Sequence, residues 1–173
     1  FDSRLADDFE VTSPLGWQFQ LAEVHTYQSG SGTESTIVQA NFRIWNGVPG
    51  EEGSNVVYGD GASDSLLSSD FSGIYRTPAA NFADTSRPLM LNTLDMSQVF
   101  LPPGTYWLDV QFSGSLGNGP WIPPATILGE DTTGNALQYF SSSSSWSPAI
   151  DTGPNTAQGM PFVLRGHEAN LRL

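Results

Sequence analysis

Residues 101–112 of this 173-residue chain read LPPGTYWLDVQF, a turn followed by a regular alternation of apolar and polar side chains. Two prolines and a glycine mark the turn. Successive side chains of a strand point to opposite faces of its sheet, so every second residue faces the same way. The segment therefore predicts a strand with one buried face, which carries Tyr106, Leu108, Val110 and Phe112, opposite Thr105, Trp107, Asp109 and Gln111.

The same two-residue period recurs along the chain, between turns rich in glycine, proline and serine. It predicts strands over residues 6–11, 17–27, 36–45, 55–58, 73–77, 88–96, 101–112, 125–128, 136–140 and 161–165. Residues 65–70 are predicted as a single helical turn, the serine run 141–145 as a turn, and the tail 167–173 as either a last strand or an irregular end. Many short strands favour a sandwich or a barrel, and we predict an all-β, two-layer antiparallel β-sandwich, jelly-roll-like, as a single domain over residues 1–173.

Two of these segments carry finer predictions. The apolar positions of residues 17–27 shift by one residue between Leu21 and Ala22, which predicts a β-bulge. In residues 36–45 the alternation continues unbroken. It predicts four inward-facing side chains in that strand, which are Val38, Ala40, Phe42 and Ile44.

The charge of the chain limits its partners. The formal net charge is −12, and all six cationic residues are arginine. Such a protein repels phosphate backbones and anionic membrane surfaces, so we expect no nucleic-acid partner. The chain also lacks an apolar run of the roughly 20 residues that a spanning helix needs, so we expect no membrane insertion.

The low content of charged residues bears on location, and the absence of cysteine bears on chemistry. Without cysteine, the chain has no disulfides, zinc–thiolate sites or thiol nucleophiles. Only 14% of residues are charged, against a usual quarter, and this is typical of secreted bacterial β-proteins. Because the sequence begins with Phe1, we expect processing after export, with an excised domain as the alternative.

No catalytic motif stands out. The chain has two histidines, His25 in a predicted strand and His167 in the tail, and the G-x-S-x-G nucleophile elbow is absent. Eighteen acidic residues leave open a pair of carboxylates across a cleft, as in glycosidases, but the spacing favours no pair. We predict a protein that is not an enzyme, with a glycan-active hydrolase or lyase as an alternative.

Acidic residues in turns and at strand ends offer oxygen ligands for a structural Ca²⁺ ion. The candidates are Asp7, Asp8, Asp60 and Asp64, with Glu130 and Asp131 as a further pair. The loop GDGASD at residues 59–64 lacks the spacing of an EF-hand and its terminal glutamate. The alternative interpretation is that these aspartates form turns by bonding their own backbone.

Three tryptophans are candidates for ligand binding. Trp45 and Trp107 alternate with the predicted core positions, so both should point away from the main aliphatic stripe, while Trp121 lies in a loop. If exposed, their flat rings offer surfaces on which a sugar ring or a partner chain can pack. Burial in the protein is the alternative for each of them, since large aromatic side chains are mostly buried.

Several short motifs together resemble a family of secreted bacterial β-sandwich proteins. They are ADDF (6–9), GW (16–17), IWNGVPG (44–50), IYR (74–76), RPLM (87–90), LPPGTYWLD (101–109), GPWIPPATILG (119–129) and GNALQ (134–138). The resemblance covers residues 6–166 and implies export and a jelly-roll-like sandwich. The family has no established activity, so the resemblance transfers no site residues. Relatives have further sequence before ADDF, so an edge strand here is either missing or supplied by a neighbour.

Three functions follow as hypotheses. The first is a non-enzymatic extracellular structural or adhesive module, such as a self-assembling subunit of a surface filament, whose edge strands pair with neighbouring copies. The second is a carbohydrate-binding module that uses exposed tryptophans. The third is the hydrolase or lyase. The expected partners are other copies of the chain or polymers at the cell surface.

Overall fold

The computed structural model describes residues 3–77, 81–124, 134–151 and 155–169. These residues form thirteen strands, which are β1 (Arg4–Val11), β2 (Trp17–Thr26), β3 (Ile37–Trp45), β4 (Val56–Tyr58), β5 (Leu66–Tyr75), β6 (Pro88–Asp95), β7 (Phe100–Leu101), β8 (Gly104–Gly114), β9 (Leu137–Phe140), β10 (Ser145–Pro148), β11 (Ile150–Asp151), β12 (Thr156–Ala157) and β13 (Phe162–Glu168).

Two antiparallel sheets pack face to face and confirm the predicted all-β sandwich. The larger sheet has the strand order β10-β9-β1-β8-β3-β4. The smaller has the order β13-β2-β6-β5, with β7 joined to β2, and β11 and β12 form a separate pair. The chain passes repeatedly from one sheet to the other. Over the described ranges, no helix is long and apolar enough to cross a membrane.

Strand β8 lies in the middle of the larger sheet, between β1 and β3. Its predicted inner face is confirmed, since Tyr106, Leu108, Val110 and Phe112 are each at most 8% exposed. They pack in one hydrophobic core with Phe19 and Met90 of the smaller sheet. Burying a side chain of this size stabilises the fold by about 1.5–3 kcal/mol, so this strand contributes strongly to the core.

The opposite face of β8 departs from the prediction of a single buried side. Trp107 and Asp109 are only 6% and 0% exposed. The alternation along the strand is as predicted, but the outer face is covered at its centre. From the sequence alone, a polar residue such as Asp109 is expected to face solvent. Its burial depends on contacts with a segment distant in the chain, such as that of Arg4.

The second strand contains a bulge as predicted, but the bulge lies at Gln20 rather than between Leu21 and Ala22. In the pairing of β2 with β13, Phe19 faces Gly166 and Leu21 faces Arg165, so Gln20 has no partner in this register. The buried positions shift accordingly, from Phe19 before the bulge to Ala22 after it. One extra residue therefore keeps apolar side chains on the core side along the whole strand.

The unbroken alternation predicted for the third strand is wrong at Val38. The register between β3 and β8 shifts between Ile37 and Gln39, which leaves Val38 without a partner. Val38 is 58% exposed, and Ile37 takes the buried position. A bulge near the start of the strand thus reverses the faces to which Ile37 and Val38 point. Ala40, Phe42 and Ile44 face inward as predicted.

The predicted helical turn at residues 65–70 is also wrong. These residues start β5, which pairs with β6 from Leu66 onward. Long-range contacts favour the strand, because the Ser69 hydroxyl donates to the buried Asn92 amide oxygen at 2.7 Å. The strand predicted at 73–77 is the second half of β5, separated by a register shift and by Gly73 at φ +84°.

The remaining strand predictions differ mainly at their ends. The segments predicted at 136–140 and 161–165 correspond to β9 and β13, and β13 extends to Glu168. The serine run forms the predicted turn at 141–144, before β10. The short strands β10, β11 and β12 were not predicted. The predicted strand at 125–128 and the end of the tail, 170–173, lie outside the described residues.

Candidate binding cleft

The larger sheet curls back over its own outer face. Trp146 lies on the edge strand β10, and Trp45 lies on β3, four strands away in the sheet order. Neighbouring strands are about 4.8 Å apart, so a flat sheet would separate the two by about 19 Å. Their ring centroids are 6.4 Å apart, with the rings edge to face at 85°. The hairpin of β9 and β10 must therefore bend across the outer face, where it covers part of β8.

The local sequence allows this bend. The hairpin turns through Ser144, which has a positive φ of 51°, and Tyr139 and Trp146 face each other across it with centroids 5.4 Å apart. On the other side, Gly50 has φ +87°, and a Cβ added there would lie 2.9 Å from Cδ1 of Trp146. The loop after β3 can approach Trp146 so closely because residue 50 is glycine.

The curled edge encloses a cleft of about 320 Å³ on the outer face of the sheet. This volume lies at the lower end of the range of about 300–1,000 Å³ that is typical of small-ligand sites. We call it the aromatic cleft, and it is lined by Arg4, Arg43, Trp45, Gly61, Gln111, Tyr139 and Trp146.

A buried ion pair forms the floor of the aromatic cleft. Arg4 Nε donates to Asp109 Oδ1 at 2.6 Å, and Trp45 Nε1 donates to Asp109 Oδ2 at 3.1 Å. Arg4 Nη1 donates to the amide oxygens of Asn41 at 2.8 Å and Gln111 at 3.0 Å. Both oxygens of the carboxylate are thus bound, and the ring of Trp45 is fixed in place by its own hydrogen bond.

Burial dominates the electrostatics of this pair. It raises the pKa of Asp109 above its usual value, and the charge of Arg4 and the hydrogen bond from Trp45 oppose that shift. Burial likewise lowers the pKa of Arg4, against the attraction of Asp109. An arginine still keeps its charge in a protein, so the floor is held by charge-assisted hydrogen bonds.

Two guanidinium groups of the aromatic cleft have donors to spare. Arg4 Nη2 is buried and has no hydrogen-bond partner among the described residues. Arg43 is half-buried, and its Nη2 donates to the backbone carbonyl of Asp60 at 3.3 Å. Within the described part of the chain, Arg43 forms no salt bridge. The cleft therefore combines aromatic walls with cationic donors.

The structure does not bring the three predicted tryptophans together. Trp45 is half-buried and lines the aromatic cleft, with Trp107 beside it in register. Trp107 is buried and exposes almost no ring surface. Trp121 is 42% exposed but lies elsewhere, where its backbone pairs with that of Tyr27. A role for Trp107 or Trp121 in ligand binding stays a prediction.

Sequence reasoning missed Tyr139 and Trp146, which form the far wall of the aromatic cleft. Their spacing on a hairpin around a serine-rich turn was visible. Their position opposite Trp45 was not, because it depends on the curl of the whole sheet. The missed arginines, Arg4 and Arg43, carry no motif in the sequence.

Among the predicted metal ligands, Asp7 and Asp8 are neighbours on β1 but differ in environment. Asp7 is buried, and its Oδ2 accepts a hydrogen bond from the N–H of Met160 at 2.7 Å. Burial raises the pKa of Asp7, while the backbone donors Met160 and Asp8 lower it. Asp8 is exposed. The carboxylate of Asp7 thus ties the first strand to the segment before β13.

Asp60 and Asp64 each bind backbone N–H groups. Asp60 Oδ1 accepts from Ala62 and Ser63, both at 2.8 Å, and Asp64 Oδ1 accepts from Ala40 at 3.1 Å. No three acidic or histidine side chains of the described residues are grouped as metal ligands. Glu130 and Asp131 lie outside those residues. The structural calcium ion therefore stays a prediction.

No protein-family model, curated protein or solved structure matches this chain. The resemblance to secreted bacterial β-sandwich proteins stays a prediction for the same reason. The arrangement of the aromatic cleft itself is thus the basis for a functional hypothesis.

Proposed function

We propose that this chain is an extracellular carbohydrate-binding module whose site is the aromatic cleft. The observation that carries the proposal is the approach of Trp146 to Trp45 across the curled sheet, above a floor of cationic and amide side chains. A sugar presents an apolar ring face and a rim of hydroxyl groups. The aromatic rings suit the first and the polar donors suit the second.

The contacts among the side chains of the cleft support binding. The Trp45 ring is anchored by its hydrogen bond to Asp109, and Trp146 packs against both Trp45 and Tyr139. A wall that is ordered before the ligand arrives loses little entropy on binding. The half-buried rings still leave surface to contact a ligand.

The chemistry of the floor favours binding over hydrolysis. A glycosidase uses two carboxylic groups about 5–9.5 Å apart, one of which must exchange a proton. Asp109 is the acid at this floor, and both of its oxygens accept hydrogen bonds from Arg4 and Trp45. A carboxylate held in this way is structural, so we place the hydrolase or lyase behind the binding module.

A glycan array followed by titration of intrinsic fluorescence tests the proposal. Trp146→Ala should weaken binding of any recognised oligosaccharide by at least about tenfold, as expected for an aromatic residue at the centre of a site. Trp121→Ala is the matched control, since that ring lies outside the aromatic cleft and its loss should leave affinity unchanged. Equal affinities for the two variants would contradict the proposal.

A separate observation favours self-association as a second candidate function. Strand β9 pairs with β1 only over Arg4–Ala6, so over the described residues the edge of β1 from Asp7 to Val11 has no neighbouring strand on that side. A cavity of about 310 Å³ opens next to this edge. It is lined by mostly apolar residues, which are Phe9, Glu10, Val11, Thr12, Trp17, Phe19, Phe162 and Leu164.

An unpaired edge beside an apolar groove is a site where a strand from another copy can add to the sheet. Sedimentation analysis over a range of concentrations tests this. Thr12→Lys places a charge at the groove and should suppress any association. Thr105→Lys, an exposed threonine on β8 outside the groove, is the control. A monomer at all concentrations, or association insensitive to Thr12→Lys, would exclude this function.

A further inference from the structure

Two cationic residues lie together on an otherwise acidic protein. The chain has a net charge of −12 and six cationic residues. Two of the six, Arg4 and Arg43, line the aromatic cleft, and no acidic residue is among the described residues that line it. The floor of the cleft contains one carboxylate, that of Asp109, against the two guanidinium groups of Arg4 and Arg43. The cleft therefore keeps a local positive charge.

That carboxylate carries one negative charge, which can offset only one of the two guanidinium groups. Asp109 is fully buried and accepts one hydrogen bond on each oxygen, from Arg4 and from Trp45. Arg4 is 6% exposed, and its Nη2 lacks a partner among the described residues. A buried donor left unpaired costs free energy.

Among the described residues, the acidic residues around the rim form no salt bridge with Arg43. Asp60 offers Arg43 only its backbone carbonyl, while its carboxylate accepts hydrogen bonds from Ala62 and from the N–H and hydroxyl of Ser63. Glu51, on the loop past Gly50, is exposed and does not line the cleft. Arg43 therefore presents a guanidinium group that no carboxylate of the described residues binds directly, beside aromatic walls.

We propose that the ligand of the aromatic cleft is an acidic saccharide, a short uronic-acid oligosaccharide whose carboxylate binds Arg43. This inference rests on the proposed carbohydrate-binding function and names its substrate class. A planar guanidinium matches a carboxylate with two parallel hydrogen bonds, and the sugar ring packs on Trp146 and Trp45.

The overall negative charge of the protein limits the length of that ligand. Exposed charges more than about 10 Å apart are largely screened at 0.1 M salt, so the cleft acts on the residue that it contacts. A long polyanion would also meet the acidic surface beyond the cleft. Short oligosaccharides, or single acidic units within a largely neutral polymer, avoid that repulsion.

Calorimetric titration of the whole chain with trigalacturonate and with its methyl ester tests the inference. The ester keeps the sugar rings and removes the charge. EDTA in the buffer prevents calcium from bridging ligand and protein. The acid should bind at least about tenfold more tightly than the ester, as a charge-assisted hydrogen bond implies. Arg43→Gln should abolish that preference. Arg165→Gln, which alters an exposed arginine on β13, should retain it.

The outcomes separate this inference from the proposed function. Equal binding of acid and ester, with sensitivity to Trp146→Ala, would overturn the acidic ligand and leave the binding module. An unchanged preference in Arg43→Gln would also overturn it. Binding of a sulfated galactan tetrasaccharide without binding of the uronate would overturn the inference that the acidic group of the ligand is a carboxylate. No binding of any saccharide would overturn the module as well. Circular dichroism checks folding, and Arg43→Lys, which keeps the charge but loses the planar fork, should retain only part of the preference.

Discussion

Arg4 donates a 2.6 Å hydrogen bond to Asp109 although 105 residues separate them, and neither side chain is more than 6% exposed. The pair joins the first residue of β1 to the centre of β8. Two ions withdrawn from water are costly, and their mutual attraction only offsets that cost when both are present. The loss of one partner should therefore be much more damaging than the loss of a surface pair.

We expect Asp109→Ala to lower the free energy of unfolding by about 3–5 kcal/mol, because it leaves Arg4 buried and uncompensated. Urea denaturation measures this. Glu23→Ala removes the partner of the exposed Arg165, 2.8 Å away, and should cost at most about 1 kcal/mol. Similar losses in the two variants would show that the buried pair has no special role.

Gly50→Ala should displace Trp146. Residue 50 has φ +87°, and the new Cβ would lie 2.9 Å from Cδ1 of that ring. Gly53→Ala is the matched control, because Gly53 has φ +86° and nothing within 4 Å of its added Cβ. Both should lose about 1–2 kcal/mol of stability to the left-handed backbone. Only Gly50→Ala should lose more and shift the tryptophan emission, and identical behaviour of the two would contradict the contact.

The pKa of Asp60 is lowered to about 2, first by the backbone N–H of Ser63, then by that of Ala62 and by the Ser63 hydroxyl. Its folded pKa is below the unfolded value, so its contribution to stability is present above about pH 4 and lost as the pH falls through about 2. Ser63→Ala removes the hydroxyl donor and should raise the pKa part of the way to its ordinary value. NMR titration of the Asp60 carboxyl carbon measures the shift. An unchanged pKa would exclude the hydroxyl as a cause.

Asp7 should act in the opposite direction, since burial raises its pKa. The folded chain then holds this proton more firmly than the unfolded chain. The contribution to stability is greatest below the ordinary carboxyl pKa of about 3.9 and is lost as the pH rises through the folded pKa. Asp7→Asn cannot ionise. Its unfolding free energy should improve relative to wild type between pH 3 and pH 7, and parallel curves for the two proteins would refute this.

The sequence predicts the sandwich because its strongest signal is local. The alternation through Tyr106, Leu108 and Val110 holds in the structure. The predicted bulge of β2 is also present, with its extra residue at Gln20 rather than after Leu21. Val38 shows the limit of such reasoning. A bulge can move an apolar side chain to the surface without any turn residue to announce it.

The aromatic cleft could be predicted only in part. The alternation of apolar and polar positions identifies Trp45 as a candidate. The positions of Trp146 and Arg4 next to it depend on strand order and on the curl of the sheet. Trp107 also departs from the expectation, since it has the right phase for an exposed ring and is buried. Contacts set by sheet curvature have no counterpart in local periodicity.

Over the described residues, the backbone of the β9–β10 hairpin pairs with the rest of the sheet at three positions, Arg4 with Tyr139, Leu5 with Gln138 and Ala6 with Leu137. We expect local unfolding of the native state at this short strand pairing, because few backbone hydrogen bonds oppose it there. Each local unfolding event would expose the guanidinium group of Arg4 to water and remove the wall formed by Tyr139 and Trp146. A ligand bound in the cleft would therefore stabilise the pairing of β9 with β1, and the amide hydrogens of β9 would exchange with solvent more slowly.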